Sequence, residues 1–576
     1  MSHVVYKQFD QLQFADVMVY NAIPPHPFWD KIDQVVDFTF VDKICEPLYS
    51  PLGQRPYAPS LKLKIHLVQR YYNISDREME QKIIGDIYIK RFLGLPITHA
   101  KFDHSTIGLD RDRLGAEMFH VCHVYILAQA LAQGLWGDED DRWLVDSFHT
   151  NANVAAPSAH ELIQQAAQQI IRHLKKRNPG RYVRLKQNMD VGSFFRRLEH
   201  DCEEKKRNVA FSKTVVQAYG LIAWLKRFET ENTFHWESEE EQKASKKHCE
   251  LLLRILRENV TEVGKNTPDP KDANNGGRTH TNEPVQSVES QAGSTQPHDT
   301  SEEPVKYLEM DKKQKPSDRI VSVYDPEVRC GYKTIKKSFI GDKVQVVESS
   351  KSHLILLAEP IAGNEADGQA LVPLVNSVVN EFDVRPSETV ADSAYGWGSN
   401  RELMHSNHIR LTAPLPKASH SASGLFQSSE FQYIPEEDVV ICPAKQKSYR
   451  KTHITESQGT QYVFDKETCN TCPLKAQCTK SKSGRTVFIS DYAELIKEGM
   501  EYNASEAGQE ALKARYEIER TNNEMKRHHG LERPRTRGRS KFRISVKITS
   551  ILINIKVMVK SLTKRPKPKL TGSVCP

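Results

Sequence analysis

Residues 264–304 carry only two large apolar side chains, Val285 and Val288, among Pro, Asn, Gly, Thr, Ser and Glu. A stretch of that composition buries too little surface to offset the entropy lost on ordering it. It reads as a disordered linker, bounded at 263–316, lying inside the chain. A core that draws on both flanks must then be assembled from segments far apart in sequence. The 576 residues are enough for about two to four domains.

On each side of that linker a short apolar run leads into an aspartate. In Asp141-Arg-Trp-Leu-Val-Asp-Ser-Phe-His149, the residues Trp143, Leu144 and Val145 predict a strand that delivers Asp146 at its end. In Thr389-Val-Ala-Asp392 a second strand ends in Asp392, ahead of the turn Gly396-Trp-Gly398. Between them, Gly341–Glu348 and His353–Glu359 predict consecutive strands, and Leu371–Val379 a helix. An aspartate at a strand end either caps a turn or holds a cation. Two of them on neighbouring strands suit Mg²⁺, a hard ion usually held by one or two carboxylates plus phosphate oxygens. A pair of such ions can clamp the attacking and leaving oxygens of a phosphodiester.

A third carboxylate is offered by the charged helix predicted over Ala511–Arg527, which contains Glu517, Glu519 and Glu524. With Ile518 at the centre of the buried face, Ala511, Ala514 and Met525 join it on the apolar side. Arg515, Glu519 and Lys526 then fall at about +60°, +100° and +80°, and Glu517 and Glu524 at about −100° and −120°. Glu519 therefore stands between two cations on one edge of the helix.

These segments resemble the DDE transposases of bacterial insertion sequences, whose catalytic core is ribonuclease-H-like. "LVDSFHTNANVA", "VADSAYG" and "ARYEIERTNNEMKRHHGLERPRTRG" are similar to that family's first-Asp, second-Asp and glutamate segments. Its Arg-x3-Glu-x6-Lys signature matches at Arg515, Glu519 and Lys526, while the Tyr that many members carry three residues before the Arg is Leu512 here. Residues 57–115 resemble the helical N-terminal domain of one branch, and 318–333 the segment before that family's second strand. The resemblance implies Asp146, Asp392 and Glu519 as catalytic ligands of two Mg²⁺ or Mn²⁺ ions. It implies hydrolysis that frees a 3′-OH, then attack of that hydroxyl on target DNA, by a homodimer acting on double-stranded DNA. The competing readings are an immobile derivative acting as a nuclease, and a non-catalytic DNA-binding protein.

Four of the ten cysteines, Cys442, Cys469, Cys472 and Cys478, fall close together. With a Cys-x2-Cys knuckle they suit a tetrahedral structural Zn²⁺, against the alternative of unrelated free thiols. From Lys526 to Lys547 nine Lys and Arg residues face one acid, Glu532. That local excess, rather than the net charge of +7, predicts phosphate contact through Lys526, Arg527, Arg533, Arg535 and Arg537 together with Arg515. The helices over 1–125 fit a helix-turn-helix-like DNA-binding module as well as they fit a plain bundle.

The expected organisation is α/β. A ribonuclease-H-like mixed sheet, split over 138–157 and 317–562, is flanked by helices. To it are added a helical N-terminal domain (1–125), a helical insertion (158–262), a Cys-rich zinc-ribbon-like insertion (436–490) and a basic tail (563–576). The most apolar late run, Ile551–Val559, is too short and polar to span a bilayer. The N-terminus lacks the apolar run of a signal peptide. A soluble, cytoplasmic protein is expected.

Overall fold

Five strands carry the centre of the computed structural model, which describes residues 4–7, 12–197, 202–230, 238–263, 305–334, 337–415 and 424–562. They are β1 (Arg142–His149), β2 (Lys337–Ser349), β3 (Ile355–Ala362), β4 (Glu388–Ala391) and β5 (Arg410–Thr412). Their order is β3-β2-β1-β4-β5, and a sixth strand, Arg329–Thr334, pairs on β2. The first three pair antiparallel, with Asp146 opposite Val346 and Val346 opposite Ala358. β4 runs parallel to both β1 and β5. This mixed α/β sheet is consistent with a ribonuclease-H-like core.

Alternation along β1 assigns its two faces. Trp143 and Val145 join a large apolar cluster that includes Val347 and Leu356. Leu144 and Phe148 join a second cluster with Val344, Val346, Val390, Ile518 and Met525. Asp146 lies between Leu144 and Phe148 in the alternation, so it belongs to the second face.

Three helices frame the sheet and its acidic end: α1 (Ser105–Ala132), α2 (Tyr516–Asn523) and α3 (Arg539–Leu562). Among the described residues, α1 alone is long and apolar enough to cross a membrane by length and composition. Its Phe119, Ile126, Leu127 and Ala130 are buried within the protein. It bends at Gly115, whose φ of +66° an L side chain rarely adopts. The apolar positions Ile544, Ile548, Ile551, Leu552 and Ile555 of α3 are all buried in the same cluster as α1. Asn554 of α3 imitates a neighbouring strand: its side chain accepts from Ile355 N at 2.8 Å and donates to Ile355 O at 2.9 Å. The helix Asp76–Gly85 opens with a capping box, Ser75 N donating to Glu78 Oε2 at 2.6 Å.

The chain divides into two compact units, Met1–Asn153 with Gly331–Pro576, and Val154–Cys330. This differs from the expected organisation in three places. The N-terminal helices form no unit of their own, because Leu67, Phe119 and Ile126 share one apolar cluster with Trp143 and Leu356 of the sheet. Residues 317–330, expected in the catalytic domain, belong to the helical unit, where Ile320 and Val323 pack among its apolar residues. The linker expected over 263–316 ends earlier, since Tyr307–Glu309 forms a strand antiparallel to Val260–Glu262. The rest of that linker, 264–304, and the basic tail 563–576 lie outside the described residues.

The helical unit is built on Ala159–Arg177, Pro179–Asn188, Glu204–Thr230 and Glu239–Asn259. Its core holds the stripe Leu162, Ile163, Ala166, Ala167, Ile170, Ile171 and Leu174 at helical spacing. The Cys-rich segment forms a two-stranded and a three-stranded sheet around its own small core of Phe431, Val440, Tyr462, Phe464 and Val487.

Candidate active site

The register of β1 on β4 sets Val145 beside Ala391. Asp146 and Asp392 follow directly, on parallel neighbours that run about 4.8 Å apart. The expectation that β1 ends at Asp146 is corrected, because the strand continues to His149, paired with β2 throughout. It is β4 that stops, at Ala391. Asp392 opens the turn beyond it, its Oδ1 accepting from Ala394 N at 2.8 Å.

The glutamate helix arrives on the same face. Ile518 and Met525 are fully buried with Leu144, Phe148 and Val390, as the helical phasing requires. The single predicted helix is instead segmented: one part ends at Ala514, α2 runs from Tyr516 to Asn523, and Glu524–His528 widens into a π-helical turn. Lys526 lies in that turn, so its angle departs from the uniform helical arithmetic.

Neighbours separate the three glutamates. Glu517 lies 4.0 Å from His353. Glu524 is engaged by Lys556 at 2.8 Å and lies 3.4 Å from His529. Glu519 has Arg515 Nη2 at 3.9 Å and is about half exposed. Asn522, one helical turn beyond Glu519, is buried and donates its side-chain N–H to Asp146 Oδ2 at 2.9 Å.

The electrostatics match this geometry. Burial pushes the Asp146 carboxyl up to about 6; Asp392 and Glu519 add to the rise, while the Ser147 amide and Arg515 oppose it. Asp392 is also raised, first by burial and then by Asp367, against Arg515 and Lys343. Asp367 is held by Gln345 at 2.7 Å and Lys343 at 3.0 Å. Tyr395, fully buried, donates to Gln345 at 2.5 Å and has a structural role. His149 rests against Phe339, ring centroids 5.0 Å apart, and feels the charge of Lys526.

Among the described residues no set of three or more His, Cys, Asp and Glu is arranged to hold a metal ion. An Mg²⁺ site needs only one or two carboxylates when phosphate oxygens complete it. Two raised, adjacent aspartates with a glutamate near them fit that donor chemistry. Sequence reasoning missed Asn522 and Asp367. The first was findable: with Ile518 at zero, Asn522 falls at about +40°, on the Arg515 side.

The basic run over 526–547 divides. Arg527, Arg533, Arg535 and Arg537 are exposed, and Arg535 donates to Asn73 O at 3.0 Å. Farther along, Arg539 pairs with Asp342 at 3.1 Å, Lys541 with Asp112 at 3.1 Å, and Arg543 and the buried Lys547 with Glu359 at 2.7 and 2.5 Å. That half of the basic run serves the fold. In the N-terminal helices Arg111 is bound to Asp76 at 2.5 Å and Arg113 lies over the Tyr49 ring at 4.8 Å.

Cys442, Cys469, Cys472 and Cys478 all line one small cavity of about 60 Å³, alongside Phe426, Phe464 and Arg485. Gln446 N–H points at Cys442 Sγ from 3.4 Å, in a turn where Lys445 takes a φ of +61°. Of the basic residues around them, Lys447 and Lys451 pair with Glu437 and Asp438, and Arg485 donates to Cys478 O and Phe426 O.

Two family models match the chain: a transposase domain (DUF772) over residues 17–113 and a transposase DDE domain over residues 441–559. These two matches support an insertion-sequence DDE transposase. The DDE-domain match takes in Glu519 of this transposase and its cysteine segment, whereas Asp146 and Asp392 precede it. No solved structure matches the transposase.

Proposed function

We propose that this transposase cuts DNA at the ends of its element and joins the freed 3′ ends to a target, with Asp146, Asp392 and Glu519 as the catalytic carboxylates. The observation that carries the reading is the side-by-side register of Asp146 and Asp392, with Glu519 and Arg515 close enough to act on the Asp146 charge. Asp146, Asp392 and Glu519 would hold two Mg²⁺ or Mn²⁺ ions, which supply charge neutralisation at the attacking and leaving oxygens. Asn522 fixes the rotamer of Asp146 before substrate arrives. Arg515 and Lys526 offset negative charge on the phosphate through cleavage and joining, as fixed electrostatic partners. Arg527, Arg533, Arg535 and Arg537 grip flanking phosphates. The cysteine quartet would hold a structural Zn²⁺, a reading supported by four thiols on one cavity and by the Gln446 N–H aimed at Cys442.

The test uses purified protein, a DNA fragment carrying element ends, and precut ends. Wild-type protein with Mg²⁺ is expected to cleave the first and join the second. Asp146→Asn is expected to bind both and do neither; normal strand transfer by that variant would falsify the assignment.

A further inference from the structure

Residues 172–197 of the helical unit carry charge that the catalytic reading leaves unused. Over residues 172–197 its exposed cations include Arg172, Lys175, Lys176, Arg184, Lys186 and Arg197. Two others are spoken for, Arg177 by Glu241 at 3.1 Å and Arg196 by Asp190 at 3.1 Å. Asp190 is the only acid in that span. The first six have no ion-pair partner among the described residues.

The fold dictates their exposure. Ala159–Arg177 buries Ile170, Ile171 and Leu174, which turns Arg172, Lys175 and Lys176 outward at i, i+3 and i+4. The chain reverses at Asn178, whose side chain accepts from Arg181 N at 3.0 Å. Pro179–Asn188 then buries Leu185 and exposes Arg184 and Lys186. Like charges at helical spacing repel, and no carboxylate stands among these to relieve them. A merely solvated surface interleaves both signs.

Aromatic rings lie among these cations. Lys175 and Lys186 approach the Tyr182 ring at 5.9 and 6.0 Å, and Arg172 approaches Phe195, itself 46% exposed, at 6.0 Å. Cations interleaved with accessible rings form the surface that nucleic-acid backbones and bases favour.

We propose that the exposed cations of residues 172–197 form a second DNA-binding surface, contacting the phosphate backbone of duplex DNA without reading sequence. The inference rests on the transposase reading for its choice of polyanion, and gives the helical insertion a role. Point charges on flexible Lys and Arg stems suit phosphate contact, and each phosphate neutralised adds about −0.9 to the slope of log K against log salt.

The test is duplex binding by full-length protein across about 50–200 mM salt, comparing wild type with Lys175→Ala/Lys176→Ala/Arg184→Ala/Lys186→Ala. All four residues are exposed, and circular dichroism verifies the fold. The variant is expected to lose about ten-fold or more in affinity, equally for element-end and unrelated duplexes, with a slope less negative by about 3. An unchanged slope and affinity in a folded variant would overturn the proposal while wild-type cleavage left the transposase reading intact. Failure of wild-type protein to bind duplex DNA would overturn both. Unchanged DNA binding with loss of binding to RNA or to anionic vesicles would likewise overturn the DNA assignment.

Discussion

Asn522 donates a hydrogen bond to Asp146 across 2.9 Å, tying the glutamate helix to the central strand. Its amide leaves the ionised form of Asp146 paired without adding charge. Asn522→Ala is expected to lower the cleavage rate by about ten-fold or more, in the range of supporting residues around metal ligands. DNA affinity is expected to stay near wild type. Asn522→Asp adds a like charge beside Asp146 and is expected to be worse than the alanine. Single-turnover cleavage with parallel binding assays checks this; equal activity of all three proteins would remove Asn522 from the site.

The raised Asp146 carboxyl predicts a trade between function and stability. At neutral pH its ionised form is held against burial and two neighbouring acids. Asp146→Asn removes that charge, and is expected to stabilise the metal-free protein by about 1–3 kcal/mol. Thermal unfolding with chelator present reads this as a higher Tm in a protein that no longer cleaves.

Arg515 acts on both aspartates and neighbours Glu519. Arg515→Ala is expected to reduce the rate of cleavage by about 10²-fold, the loss typical of a preorganised electrostatic group. Arg515→Lys keeps the charge and is expected to recover part of it, which a loss of packing alone would not predict.

Glu524 supplies a pH dependence. It lies beside His529 and Lys556, which hold its carboxyl down to about 2 from an ordinary 4.5. A depressed folded-state pKa stabilises above the unfolded value, and that stability drains away as pH falls from about 4.5 toward 2. Glu524→Gln is expected to cost about 1–2 kcal/mol at pH 7, allowing for solvent screening, and to cost little near pH 2. Denaturant titrations at both pH values give the comparison.

For the cysteine quartet the expected outcome is one zinc per chain by elemental analysis. Cys469→Ser or Cys472→Ser is expected to abolish it. Chelation is expected to increase proteolysis within 436–490 while leaving the sheet protected, because that segment has a small core of its own.

Much of the fold, and which side of the glutamate helix faces the sheet, was legible in the sequence. The phasing of Ile518, Ala511 and Met525 identified the buried side of the glutamate helix, because a helix must bury one continuous stripe. Alternation found the strands but misjudged the end of β1. A strand paired on one side continues although its other neighbour has turned away, and pairing is not a local property. The π-helical turn at Lys526 left no mark in spacing rules that assume uniform geometry. The ion pairs of Arg539, Arg543 and Lys547 also escaped notice. Their partners Asp342 and Glu359 lie almost two hundred residues upstream, and a run of cations looks the same whether it meets DNA or protein.

The insertion of the helical unit between β1 and β2 has a consequence during synthesis. β1 leaves the ribosome roughly 190 residues before its antiparallel partner, an interval of about 10–40 s at ordinary elongation rates. β4 is later still. For that time both hydrogen-bonding edges of the strand bearing Asp146 have nothing to pair with, while the helical unit, local in its contacts, can already fold. Bare strand edges invite pairing with other chains, so the nascent polypeptide spends that interval as a natural client for chaperones that shield them.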